Sequence, residues 1–153
     1  MNIEFRHEPV AELAVSVLVA TGFEGAAASS GTVERLPAET RSLLEELQGA
    51  KELTGKAYEC TLIHRPAGLA ARKLLVVGAG KKEKFSSAQL RRLAGTAVRY
   101  LRARGIREVA WLVSGNEAQA GDVQAAVEGA IAADYDADRY RTERNSERRI
   151  DRM

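Results

Sequence analysis

The sequence predicts an α/β domain in which a largely parallel, mixed sheet lies between two layers of helices, a three-layer α/β/α sandwich. Short apolar runs rich in β-branched residues alternate with segments whose apolar residues recur at helical spacing. Strands separated by helical crossovers favour parallel pairing with helices on both faces. The 153 residues, 45% hydrophobic and 29% charged, have the size and balance of one ordinary globular domain. A chain of this length buries roughly 70% of its unfolded surface, enough for a core without disulfide or metal staples.

The elements follow in order. Ala14 to Ala20 is a short apolar run that ends at Thr21-Gly22, as a strand buried on both faces does. A Gly/Ala/Ser stretch through Gly31 reads equally as loop or weak helix. Pro37 stands where a helix can begin, and Leu36, Leu43, Leu44 and Leu47 form its stripe, which stops at Gly49. Leu53-Thr54-Gly55-Lys56 is a turn, Ala57 to Ile63 a strand, Pro66-Ala67-Gly68 a break, and Lys73 to Gly78 a further strand, so the last two strands form a hairpin-like pair.

Ser86 and Gln89 have capping-box spacing, and Leu90, Leu93, Ala94, Ala97, Val98 and Leu101 recur at helical intervals up to Gly105. Arg107 to Val113 gives another strand. Asn116 and Gln119 repeat the capping spacing before a long helix with Val123, Ala126, Val127, Ala130, Ile131 and Tyr135 on its apolar face. Residues 1–143 are read as one domain. Residues 144–153 are read as a truncated linker or the start of a further element, because Arg148 to Met153 is too short and charged to close one.

Composition excludes several classes. Cys60 is the one cysteine, which favours a reducing compartment; in an alternating strand-like run it reads as a small core hydrophobe, not a nucleophile. The N-terminus has no continuous apolar stretch of the signal-peptide kind. The longest apolar run, Leu13 to Ala20, falls far short of the ~20 residues of a membrane helix. The net charge is +2, and the basic run from Arg139 to Arg152 is interleaved with Glu143, Glu147 and Asp151, so it does not build a phosphate-binding face. Arg91, Arg92, Arg99 and Arg102 read as the solvent side of their helix.

Gly78-Ala79-Gly80-Lys81 follows a strand and precedes a helix, where backbone amides and a helix N-terminus can cradle a phosphate. Gly78, Gly80 and Lys81 are thus the weak candidates for a ligand site. The pattern is incomplete: Glu83 stands where a dinucleotide fingerprint needs Gly or Ala, and the P-loop spacing is absent. The simpler reading is a tight strand-to-helix turn.

His7 and His64 lie apart, with no neighbouring metal-ligand spacing. Asp134, Asp136 and Asp138 project about 200° apart on a helix and do not converge on one ion; they are expected to solvate the helix and pair with Arg139 and Arg141. Ser29-Ser30 and Ser86-Ser87 lack an oriented base and read as loop or cap residues. No catalytic, cofactor or metal residue is assigned.

Lys73 to Lys81, followed by Phe85-Ser86 and Leu90 to Gly95, resembles the N-terminal domain of the leucine aminopeptidase (cytosol aminopeptidase, peptidase M17) family. Glu128 to Arg141 is similar to that family's Glu-Gly, Tyr and Asp-x-Tyr segment, with Ala137 where members commonly carry an aromatic. The resemblance implies a macro-domain-like fold and a non-catalytic role beside a C-terminal catalytic domain. That domain would hold two divalent metals, zinc or manganese, in a cytoplasmic hexamer that removes N-terminal residues from peptides. Its signature Asn-Thr-Asp-Ala-Glu-Gly-Arg does not occur in this chain. The alternative is a free-standing module that binds a nucleotide such as ADP-ribose, and a weaker option is DNA contact through the arginine-bearing helices.

Overall fold

A computed structural model describes residues 1–114, 120–135 and 150–153. In chain order it contains β1 (Val17–Gly22), α1 (Ala38–Gly49), β2 (Cys60–His64), β3 (Lys73–Gly78), α2 (Ser87–Arg102), β4 (Val109–Trp111) and α3 (Ala120–Asp134), joined by short 3-10 turns. The strands make one sheet in the order β2-β3-β1-β4 among the described residues. β1 pairs in parallel with β3 and with β4, while β2 runs antiparallel to β3, with Cys60 opposite Val77 and His64 opposite Lys73. The hairpin-like pair and the mixed, mostly parallel sheet are therefore as the sequence predicts.

Strand alternation assigns the two faces. Val17, Val19, Leu75 and Val77 point to α2 and α3, where they meet Leu93, Ala97, Val98 and Leu101. Leu18, Ala20, Leu74 and Val76 point the other way, onto Val33, Leu36, Leu44 and Leu53 from α1 and the flanking turns. Every residue of β1 is buried, which is why the run reads as continuously apolar instead of alternating. Each fully buried Leu, such as Leu44, Leu75 or Leu93, contributes about 1.5–3 kcal/mol of transfer free energy.

Local signals explain the helix limits. The Ser86 hydroxyl accepts the Gln89 N–H at 3.3 Å, capping α2, and Gly105 takes φ +69 just past its end, as a residue leaving a helix does. The strands shift relative to the sequence reading. β1 runs on through Thr21-Gly22. β2 starts only at Cys60, because Ala57 to Glu59 turn, with Tyr58 at φ 68 and the Glu59 carboxylate accepting the Thr54 N–H at 2.8 Å.

Two differences concern α3. Ile131 and Tyr135, expected in its apolar stripe, are 51% and 68% exposed; the buried face carries Ala125, Ala126, Gly129, Ala130 and Ala133 instead. With alanines around most of the helix, periodicity alone does not choose a face, and the smallest residues win because they let α3 approach α2 closely. The Asn116–Gln119 cap lies outside the described residues, as do Asp136 and Asp138.

Ile150 is fully buried in the α2/α3 core. Residues 151–153 lie between β4 and the N-terminal segment. The Asp151 and Arg152 N–H groups donate to the Arg107 carbonyl at 2.7 and 3.1 Å, and the Val109 N–H donates to the Arg152 carbonyl at 2.9 Å. The Asn2 N–H donates to the Asp151 carbonyl at 2.9 Å and the Met153 N–H to the Asn2 carbonyl at 3.0 Å. β4 proper covers only Val109–Trp111 of the apolar run, the stretch in register with Val17, Leu18 and Val19 of β1.

Candidate functional site

In an open α/β sheet, ligands enter the crevice at the carboxyl ends of two neighbouring strands whose onward connections leave to opposite faces. β1 and β3 are such a pair, since β1 leads toward α1 and β3 toward α2 on the other side. The crevice between Gly22 and Gly78 is therefore the natural ligand position, and the candidates Gly78, Gly80 and Lys81 stand at it.

The backbone itself occupies that position. The Gly78 N–H donates to the Glu59 carbonyl at 2.7 Å, the Ala79 N–H to the Gly22 carbonyl at 2.9 Å and the Gly80 N–H to the Gly55 carbonyl at 3.0 Å; the Gly80 carbonyl accepts the Glu24 N–H at 2.9 Å. Three amides that could have cradled a phosphate are thus spent on internal carbonyls. Gly78 packs so closely on the Gly55–Lys56 turn that a Cβ would overlap the Lys56 carbonyl oxygen, and Gly80 takes φ +74, which glycine adopts without strain. Phe23 and Phe85 meet edge to face beside the turn, centroids 5.3 Å apart. A 3-10 turn, Lys82–Lys84, and Phe85 separate the exposed Lys81 from the first turn of α2. Glycine turn and helix N-terminus therefore do not form the continuous phosphate cradle that their sequence order suggests.

Glu59 holds the turn opposite. Its carboxylate accepts from the Thr54 hydroxyl, from the Thr54 N–H and from the Gly55 N–H at 3.3 Å. Burial pushes its pKa up, but the bonds from Thr54 and Gly55 outweigh it and leave the group below its ordinary value. Cys60, next in sequence, has its thiol pushed up by burial, opposed in part by the Arg104 charge and assisted least by the Glu59 charge. A protonated, half-buried thiol is a poor nucleophile.

The remaining candidate residues do not gather. His7 stacks edge to face on Phe5 at 5.1 Å in the exposed N-terminal segment, and His64 is exposed at the end of β2. The Ser30 hydroxyl accepts the Phe23 N–H at 2.9 Å and donates to the Ala26 carbonyl at 2.5 Å; the Ser87 hydroxyl donates to Asp122 at 3.0 Å. Ser30 has the loop role expected of it, whereas Ser87 ties the first turn of α2 to that of α3. Among the described residues no group of three or more His, Cys, Asp or Glu side chains could hold a metal ion.

Two expectations about charge are corrected. Asp134 does not solvate α3: it is 8% exposed, accepts the Ile150 N–H at 3.0 Å and lies 3.7 Å from the Arg102 guanidinium. Arg102 is not on the solvent side of α2 either, since it also donates to the Ala133 carbonyl at 2.9 Å. Buried charges need such partners. Sequence spacing missed this pair because its members meet across two helices, although an Asp inside an alanine-rich helix is itself a signal. The outer stripe of α2 is left with Arg91, Arg92 and Arg99, and Arg91 pairs with Glu128 at 3.4 Å.

One cavity of about 160 Å³ opens beside β4, between the N-terminal segment and α3. Trp111, Leu112, Phe5, Val127 and Met153 contribute its apolar wall, and Glu4, Glu108 and Arg152 its charged rim. It lies on the β4 side of the sheet, away from the glycine crevice.

The three-layer α/β architecture resembles that of the macrodomains. The macrodomain of Thermus aquaticus DarG superposes with a TM-score of 0.61 over 86% of this chain and 91% of its own, at 14% identity, a likeness of fold alone. The chain belongs to the cytosol aminopeptidase family: residues 17–144 match the model of its N-terminal domain. A probable cytosol aminopeptidase of Solibacter usitatus is 34% identical over 142 residues, 93% of this chain and 27% of that protein. A mutant of tomato leucine aminopeptidase superposes with a TM-score of 0.72 over the whole chain and 31% of its own, at 18% identity. The chain thus spans about a quarter of the length of that curated relative. No helix among the described residues is long and apolar enough to cross a membrane.

Proposed function

We propose that this chain is the non-catalytic N-terminal domain, residues 1–143 and the segment that follows, of a leucyl-type metalloaminopeptidase that removes N-terminal residues from peptides. The carrying observation is the family match over residues 17–144, confined to about a quarter of a relative's length. The closed crevice supports a part that builds and positions over one that reacts. Hydrolysis then belongs to a C-terminal domain of the same polypeptide, in which two divalent ions, zinc or manganese, activate the attacking water. The enzyme works in the cytoplasm as a homo-hexamer, with the present domain shaping access or assembly around the catalytic part.

The purified 153-residue chain, supplied with Mn²⁺ or Zn²⁺, should leave leucine p-nitroanilide unhydrolysed above the buffer rate. Reading the gene beyond the codon for Met153 should reveal a di-metal hydrolase domain. Turnover by the pure chain, or a stop codon directly after Met153, would overturn the proposal.

A second reading, a free-standing ADP-ribose-binding module, draws support from the macrodomain architecture. The committed amides of Gly78, Ala79 and Gly80 count against it. Calorimetry at millimolar ADP-ribose separates the two, because the accessory-domain reading expects no heat of binding.

A further inference from the structure

We propose that this chain associates head to tail with further copies of itself, the acidic outer face of α1 in one copy docking on the arginine wall of the groove between α2 and α3 in the next. The inference concerns the two outer layers of the sandwich, away from the glycine crevice, and does not rest on the aminopeptidase reading.

Charge is sorted by layer. α1 carries three Glu and one Arg, and Glu39, Glu45 and Glu46 are all exposed. Its one base, Arg41, is half-buried and projects about 200° round the helix from Glu39. α2 carries four Arg and no acid. Arg91, Arg92 and Arg99 stand exposed along an open groove of about 620 Å³ that α2 forms with α3, while Arg102 turns inward to Asp134. α1 and α2 cover opposite faces of the sheet, so one flank of the molecule is acidic and the other basic.

The spacing of the two sets matches. Arg91 is engaged by Glu128, but Arg92, Arg99, Glu39 and Glu46 make no ion pair among the described residues. Glu39 and Glu46 are seven residues apart on α1, and Arg92 and Arg99 seven apart on α2. Each pair is therefore about 10.5 Å apart along its axis and within about 20° of one line. The residue between is small in both helices, exposed Ser42 on α1 and Gly95 at the floor of the groove. The Arg99 guanidinium reaches over that floor, 3.7 Å from where a Cβ of Gly95 would stand. An approaching α1 thus meets two arginines at the separation of its own two carboxylates, with nothing bulky between them.

Because the two faces lie on opposite sides of one copy, both can be used at once. The contact is heterologous and passes from copy to copy instead of closing as a two-fold dimer. Exposed ion pairs contribute little each and are screened by salt, so the association is weak and salt-sensitive.

Sedimentation equilibrium of the purified 153-residue chain tests this. At about 20 mM salt the weight-average mass should rise above the 16.6 kDa of one chain between about 10 µM and about 1 mM protein, and at about 500 mM salt it should return to one chain. Arg92→Glu with Arg99→Glu should abolish the rise, and so should Glu39→Arg with Glu46→Arg, since each leaves both flanks with one sign. An equimolar mixture of the two double variants should regain it, because the acidic wall of one meets the basic α1 of the other. Exposed positions of this kind leave folding intact; should either reversal not fold, Arg92→Gln with Arg99→Gln, or Glu39→Gln with Glu46→Gln, should abolish the rise as well. The mass of one chain at every concentration of the unmodified protein, association that persists at high salt or in either double variant, or a mixture that stays monomeric would overturn the proposal.

Discussion

Gly129 of α3 faces the backbone of Arg91 in α2 so closely that a Cβ built on it would lie 2.8 Å from the Arg91 carbonyl carbon and overlap the oxygen. Gly95 faces back, its own Cβ position 3.3 Å from the Gly129 carbonyl oxygen. The two helices thus pack backbone to backbone. The Glu-Gly pair at residues 128 and 129 has a physical role: the glycine sets the helix separation, and Glu128 pairs with Arg91 beside it.

Gly129→Ala should cost about 1–3 kcal/mol in urea denaturation, because no flexible side chain can yield and α2 and α3 must part. Gly121→Ala, in the same helix with nothing within 4 Å of the added carbon, should be neutral or stabilising by up to about 1 kcal/mol. Equal midpoints for the two variants would contradict the close packing.

Gly78→Ala should destabilise by a similar amount, about 1–3 kcal/mol, through displacement of the Gly55–Lys56 turn. Amide exchange should show the loss spreading to Gly80, whose acceptor Gly55 lies in the turn that the added carbon meets, and to Ala79, whose acceptor Gly22 is the register partner of Gly78 in β1. A variant as stable as the parent would mean that the crevice is not sealed as described.

The depressed Glu59 carboxyl makes stability depend on pH in a defined direction. A group with its folded pKa below the unfolded value stabilises above the unfolded value, here 4.5, and loses that contribution as pH falls through the folded one. Glu59→Gln should therefore lower the melting temperature at pH 7, and the gap to the parent should close as pH drops below 4.5. A gap constant down to pH 3 would assign the effect to packing.

Cys60 should resist alkylation. With its thiol held above the ordinary value of 9.0, iodoacetamide at pH 8 should modify the native chain at least about ten-fold more slowly than the urea-unfolded one, since the thiolate is the reactive form. Equal rates would show the strand edge to be open.

Much of the fold was legible where the signal is local. Ser86 with Gln89, Gly105, Pro37 and the apolar run Lys73 to Gly78 each carry their own cap, stop or strand pattern, and each falls at the observed element boundary or within three residues of it. What was not legible depends on distant partners. The face α3 buries is set by α2. Asp134 is buried where Ile150 and Arg102 come to it, and Arg107 and Val109 pair with a segment some 40 residues on. The candidate glycine turn stands at the end of β3, as its order in the chain implies. That its amides would be consumed required knowing that Gly22, Gly55 and Glu59 converge there, which no spacing encodes.

Filling the mouth of the sheet has a consequence for how this surface tolerates change. In a sheet that holds a ligand between two strand ends, substitutions there alter binding and leave the scaffold standing. Here the same positions are the keystone of an arch, so a mutational scan across residues 22–25, 54–59 and 78–80 should read out as loss of folded protein, with the profile of an interior and not of a pocket.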